Sequence, residues 1–223
     1  MLGAVIVAAG SSRRAGFDKL AATLDGEPVL RRSVEAFLGG ACRCVVVVCP
    51  EDRWHLTGLA ALAAASEVPL LRVDGGAERQ DSVAAGLEAL PEGVEWVAVH
   101  DGARPLITRE GIARCFDAAK ETGAAACAHP VVDTLKRADA DGRSLPEKVS
   151  REHLWGMETP QIFRLDLLRR AYDCVARQGL CVTDEVSAME TIGVPTKLVQ
   201  VGANMKITLP GDLELAELIY RNL

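Results

Sequence analysis

The chain has 223 residues, of which 49% are hydrophobic and 25% charged. That composition is globular and excludes a disordered, collagen-like or low-complexity chain; the length suits one domain, residues 1–223, with a protruding arm. Lys and Arg number 25 against 31 Asp and Glu, a net charge of −6 that disfavours bulk attraction to nucleic acid or to an anionic membrane. A polyanionic ligand would therefore need a local group of cations.

In chain order, residues 2–8 form a near-continuous apolar run, as a buried parallel strand does. The run has no basic segment before it and ends in a Gly/Ser/Arg loop, so it reads as a first strand and not as a signal peptide. Residues 28–37 carry a helical apolar stripe through Val29, Leu30, Val34 and Phe37, stopped by Gly39-Gly40. Residues 44–49 are a second buried strand closed by Pro50, and residues 51–65 one Ala/Leu-rich helix. A short strand at 70–73 precedes Gly75-Gly76, a helix at 79–90 ends at Pro91 and Gly93, and 96–100 is a strand. A helix over 108–122 has Thr108 as its cap and Gly123 beyond its end, with another strand at 123–128.

The rhythm breaks at about 133–150, a polar stretch without a core stripe, where Asp141-Gly142 marks the turn of a β-arm. Helices at 164–178 and 184–192, a strand at 197–201 and a final helix from Pro210 complete the pattern. The alternation predicts an α/β fold: a mostly parallel, doubly wound, Rossmann-like sheet with helices on both faces. No apolar stretch approaches the roughly 18 residues that a membrane span needs. The seven cysteines are odd in number and contain no CxxC pair, which points to buried thiols in a reducing cytoplasm. His55, His100, His129 and His153 lack metal-ligand spacing, so no zinc site is expected.

Ligands of doubly wound sheets gather at the carboxyl ends of the strands, so the loops there carry the chemistry. The first runs Ala8-Ala9-Gly10-Ser11-Ser12-Arg13-Arg14-Ala15-Gly16-Phe17-Asp18-Lys19. Its Gly and Ser let backbone amides approach an anion, and Arg14 and Lys19 add charge; a solvated turn is the plain alternative. It has neither the GKS/GKT of a Walker A loop nor GxGxxG. The second, Gly75-Gly76-Ala77-Glu78-Arg79-Gln80-Asp81-Ser82, permits close approach to a planar ring, with Ser82 able to bond a base edge, or is an ordinary strand–helix turn. The third, His100-Asp101-Gly102-Ala103-Arg104-Pro105, sets a carboxylate and a guanidinium three apart, suited to metal, ribose or phosphate, or to a structural ion pair. Arg151, Thr159-Pro160-Gln161 and Asn204-Met205-Lys206 follow; Asn204 and Lys206 would share a face in a strand, although Lys206 by itself reads as a surface lysine. Thr183-Asp184-Glu185 reads as a helix N-cap with dipole-facing acids.

Taken together these segments resemble the 2-C-methyl-D-erythritol 4-phosphate cytidylyltransferase family. The match runs in order through AAGSSRRAGFDKL, GGAERQDSVAAGL, VHDGARP, VVDTLKR, REHLWGMETPQIF, TDEVSAME and NMKITLPGDLELAE. The resemblance implies transfer of CMP from CTP to a sugar-alcohol phosphate with release of pyrophosphate, Mg²⁺ assistance, and a cytoplasmic homodimer joined by the arm. It implies that Arg14 and Lys19 bind the triphosphate, and that Arg151 and Lys206 hold the acceptor phosphate for attack. Ala8, Ala9, Gly10, Ser11, Gly76, Ser82, Asp101 and Gly102 would surround the nucleotide. Arg104, Thr134 and Thr159 would lie near the acceptor, and Asp101 would be the protein contact of the metal. Ser12, Ala15 and Asp18 stand where the family often has glycine, methionine and proline, and Gly102 where alanine is frequent. A sister family that makes CDP-ribitol often has serine and valine where Gly102-Ala103 stand, which favours methylerythritol phosphate; ribitol 5-phosphate is the alternative acceptor. A phosphate monoester has its second pKa near 6 and is largely dianionic at neutral pH, so the reaction needs no general base.

Overall fold

A computed structural model describes residues 1–10 and 17–223. The expectations for Ser11 and Arg14 fall outside the described residues. The elements in chain order are β1 (Leu2–Val7), a small hairpin of β2 (Thr23–Leu24) and β3 (Glu27–Pro28), α1 (Val29–Glu35), β4 (Cys42–Val48), α2 (Glu51–Leu56), α3 (Leu59–Ala65) and β5 (Leu70–Val73). There follow α4 (Arg79–Glu88), β6 (Trp96–Asp101), α5 (Arg109–Thr122), β7 (Ala124–Pro130), β8 (Trp155–Arg164), α6 (Leu165–Gln178), α7 (Glu185–Glu190), β9 (Lys197–Val199) and α8 (Pro210–Tyr220).

The large sheet has the order β5–β4–β1–β6–β8–β7–β9. It is mostly parallel, as the alternation predicts: β1 runs parallel to β4 and β6, β4 to β5, and β7 to β9. β8 alone among these strands is antiparallel, to both β6 and β7. Side chains alternate across the sheet with period two. Val45 and Val47 of β4 therefore join one core with α1, α3, α5 and α8, while Cys44, Val46 and Val48 join a second core with α4, α6 and α7. Helices thus cover both faces, each held by burial of side chains such as Phe37 or Phe163, worth roughly 2 kcal/mol apiece. Gly86 of α4 lets that helix lie on the sheet, since a β-carbon there would come within 2.4 Å of Val5.

Local chemistry sets the ends of the elements. Thr108 caps α5 by accepting the Gly111 amide, and Gly123 closes the helix at φ 87°. The expected single helix over 51–65 is instead two, because Gly58 at φ 70° turns the chain out of helical geometry between α2 and α3. β8 was not expected: Gly156 and Pro160 interrupt its apolar pattern, and its neighbours supply the partners that the pattern leaves unspecified. The arm carries its turn where expected, with Gly142 at φ 78° and Leu145 donating to the Arg137 carbonyl at 2.8 Å. Its two limbs meet in a single bridge, Ala138 with Ser144, and not in continuous strands. Residues 204–208 are likewise not a strand of the sheet, although Ile207 donates to the Ala103 carbonyl at 2.9 Å.

Candidate functional site

The carboxyl ends of β1 and β6 lie side by side, with Val7 opposite Asp101. The two loops continue in contact: Gly102 donates to the Val7 carbonyl at 3.0 Å. Gly102 is sterically required there, because a β-carbon would come within 2.7 Å of Leu30 and 3.2 Å of Ala8. Gly75 is packed just as closely between Ala9 and Ser82, at 2.4 and 2.8 Å from its would-be β-carbon. Ala8 and Ala9, the double glycine and the β6 end are therefore packed together. Ser82 is 2% exposed; its hydroxyl donates to the Glu78 carbonyl at 3.2 Å and accepts the Gly76 amide at 3.1 Å. One lone pair is its remaining hydrogen-bonding capacity.

Asp101 is the centre of a charge network and is 9% exposed. Lys206 reaches its Oδ2 at 2.7 Å, Arg79 reaches Oδ1 through Nε and Nη2 at 3.3 Å, and Arg104 Nε lies 3.9 Å from Oδ2. Burial pushes this carboxyl up, but Arg79, Lys206 and Arg104 together hold it well below the usual carboxylate range. Arg79 is itself held by a fork onto Glu185, at 2.7 and 3.0 Å, and Tyr172 donates to the same carboxylate at 3.1 Å. Burial pulls the Arg79 guanidinium down, but Glu185 and Asp101 outweigh it and fix the cation. Alternating charges thus run from Glu185 through Arg79 and Asp101 to Lys206.

Lys19 also reaches the 206–208 segment, its Nζ donating to the Ile207 carbonyl at 2.7 Å. Two of the expected cations are therefore brought to successive residues of one segment. Arg104 donates to the carbonyls of Asn204 and Met157 at 2.8 and 3.3 Å. Its buried Nε has no hydrogen-bond partner among the described residues. Thr159 accepts the Asp101 amide at 3.0 Å and lies 3.0 Å from His100 Nδ1. His100 Nε2 faces the Arg104 carbonyl at 3.1 Å, which can only accept, so Nε2 carries the proton. Burial lowers the imidazole pKa to about 4, leaving Nδ1 an acceptor for the hydrogen bond that the Thr159 hydroxyl donates. Thr134 and Arg151 are placed elsewhere: both are exposed on the arm side, and Arg151 donates to the Val132 carbonyl. No described contact joins either to the Asp101 network.

Sequence reasoning assigned no role to Arg79, Tyr172 or Arg53. Arg79 stood in the quoted GGAERQDS segment, but only the fold sets it against Asp101. Glu185 does stand in the first turn of α7, as expected, and is in addition fully buried as the partner of Arg79, while Asp184 caps α7 through the Ser187 amide.

Comparison with known proteins agrees with this arrangement. The family model for 2-C-methyl-D-erythritol 4-phosphate cytidylyltransferase (IspD) matches residues 2–222. The chain is 41% identical, over 98% of its length, to the bifunctional enzyme IspD/IspF of Desulfotalea psychrophila, and spans 57% of that longer protein. The 2-C-methyl-D-erythritol 4-phosphate cytidylyltransferase of Geobacillus kaustophilus is 39% identical over 97% of this chain and 95% of its own. The crystal structure of the Thermus thermophilus enzyme of the same name superposes with a TM-score of 0.77 at 33% identity, covering 99% of this chain and 100% of that one. With its sheet order, its strand-end loops and its full-length similarity in accord, the chain belongs to the 2-C-methyl-D-erythritol 4-phosphate cytidylyltransferase family.

Proposed function

We infer that the protein transfers CMP from CTP to 2-C-methyl-D-erythritol 4-phosphate, giving 4-diphosphocytidyl-2-C-methyl-D-erythritol and pyrophosphate for isoprenoid precursor synthesis. The observation that carries this reading is the convergence of Lys19 and Lys206 on one segment beside Asp101 in an otherwise acidic chain. The acceptor phosphate oxygen attacks the α-phosphorus of CTP; the new P–O bond forms as the bond to the bridging oxygen breaks, and pyrophosphate leaves with that electron pair. The acceptor is already a dianion, so His100, neutral and tied at both nitrogens, is not needed as a base. Arg14 and Lys19 take the triphosphate charge, while Lys206 and Arg151 hold the acceptor phosphate. Arg104, beside Asp101, belongs to the acceptor side of the site. Ala8, Ala9, Gly10, Ser11, Gly76 and Gly102 line the nucleotide, and the spare lone pair of Ser82 suits the amino group of cytosine, where uracil would present a carbonyl.

A divalent metal fits this donor set in a limited way. Asp101 is ionised at any working pH, but both its oxygens already accept from cations, and among the described residues no group of three or more His, Cys, Asp or Glu could hold a metal. Mg²⁺ would therefore take one protein oxygen at most, from Asp101, and the rest from phosphates and water; bound, it supplies further neutralisation of phosphate charge. The polar arm, with Thr134 and Arg151 exposed and in no described contact with the network, supports a homodimer in which the arm completes a neighbouring acceptor pocket. The seven free cysteines support a cytoplasmic location.

Pyrophosphate release with CTP, UTP, ATP and GTP, each against methylerythritol phosphate and ribitol 5-phosphate, tests the reading. Turnover is expected with CTP and methylerythritol phosphate above every other pair. Preference for ribitol 5-phosphate or for another nucleotide would overturn it.

A further inference from the structure

We propose that Arg53, a residue of α2, is a positioning residue for the nucleotide half of the site. Its side chain reaches from α2, which follows β4, to the residues just beyond β1, and is 9% exposed. Nη1 donates to the carbonyls of Ala8 at 2.5 Å and Gly10 at 3.2 Å. Nε and Nη2 donate to Asp18 Oδ2 at 3.4 and 3.3 Å. One guanidinium thus fastens the chain at Ala8 and Gly10 and again at Asp18, on either side of residues 11–16.

Each end of this tie reaches a residue assigned to the nucleotide. At the first, the peptide after Ala8 is planar and trans, so a carbonyl turned toward Arg53 turns the Ala9 amide the other way. At the second, Asp18 heads a turn: its Oδ1 accepts the Leu20 amide at 3.1 Å, and its carbonyl accepts the amides of Ala21 and Ala22 at 3.2 and 3.0 Å. Lys19 extends from that turn to the Ile207 carbonyl. A planar fork with five donors can serve two carbonyls and a carboxylate together; an ammonium cannot span them in the same way. For packing alone, an apolar residue on α2 would suffice and would avoid burying a charge.

This inference rests on the reading of the loop as the triphosphate site. Its test compares the wild-type chain with Arg53→Gln, Arg53→Lys and Asp18→Asn, measuring steady-state kinetics with both substrates varied and calorimetric titration with MgCTP alone. Arg53→Gln is expected to raise the KM for CTP and the calorimetric Kd about tenfold or more, with the acceptor KM within about twofold. Asp18→Asn, which keeps the acceptor for Leu20 and lies nearer the surface, is expected to weaken CTP several-fold at an unchanged melting temperature. Arg53→Lys should recover the Asp18 pair but only part of the CTP affinity. Because Arg53 and Asp18 act through one tie, the double variant should bind CTP no worse than Arg53→Gln alone. If Arg53→Gln does not fold, Asp18→Asn decides. Unchanged CTP affinity in the folded variants, or an equal rise in both substrates' KM, would overturn the proposal. A wild-type chain that binds MgCTP but transfers nothing to methylerythritol phosphate would instead sink the functional reading, and the titrations would still judge Arg53.

Discussion

His100 serves the site by staying neutral. Its ring accepts a hydrogen bond from Thr159 and donates one to the Arg104 carbonyl, so it ties β8 to the loop from which Asp101 and Arg104 project. Burial sets its pKa at about 4, whereas an unfolded histidine titrates near 6.5. Below about pH 6.5 the unfolded chain takes up a proton that the folded chain refuses, so this group's stabilising contribution is full above that pH and falls as pH drops toward 4. At about 1.4 kcal/mol per pH unit the loss reaches roughly 3 kcal/mol. Urea titrations of the wild type and of His100→Asn between pH 7 and 4 are expected to diverge, with the variant's stability falling less steeply; parallel curves would contradict the assignment. The dependence was hidden in the sequence, where His100 was one histidine without metal spacing. Asp101 stood out because strand-end loops collect ligands, and Lys206, a surface lysine by itself, stood out only through the family resemblance; the Asp101–Arg79–Glu185 relay was not legible. It joins three segments whose meeting depends on the chain's path between them.

At the level of elements, the parallel half of the sheet follows directly from its sequence: β1 is a near-continuous apolar run, β4 is apolar from Cys44 onward, and Thr108 and Gly123 mark the ends of α5. β8 was not legible, since its Gly156 and Pro160 break the strand pattern and it owes its conformation to pairing with β6 and β7. It matters to the site nonetheless, because it delivers Thr159 beneath Asp101. β7 and β8 also form the base of the arm, where Val132, Leu154 and Trp155 are exposed and apolar. Such a patch at the foot of a polar arm suits contact with a second copy of the chain. Sedimentation at micromolar concentration should give a dimer, and Arg151→Ala should raise the KM of methylerythritol phosphate far more than that of CTP. A fully active monomer, or a rise confined to CTP, would separate the arm from the acceptor site.

Across the whole molecule the decisive quantity is the placement of charge. The chain is acidic, with a net charge of −6, yet its reaction must bring a dianion to a triphosphate. One pair of unit charges about 4 Å apart is worth roughly 4 kcal/mol at an effective dielectric of about 20, so several such repulsions exceed what one lysine offsets. In the fold, Lys19 reaches the Ile207 carbonyl, one residue from Lys206, while Lys206 and the Glu185-held Arg79 both reach Asp101. Cations oriented before the substrates arrive stabilise the developing charge without reorganisation. The most direct test is single-turnover CMP transfer by Lys19→Ala and Lys206→Ala, with CTP and methylerythritol phosphate both saturating. The rate should fall by on the order of 10²-fold in each variant, as the loss of a transition-state donor produces. Rates within about twofold of the wild type at saturation would contradict this, showing that these lysines contribute only to binding.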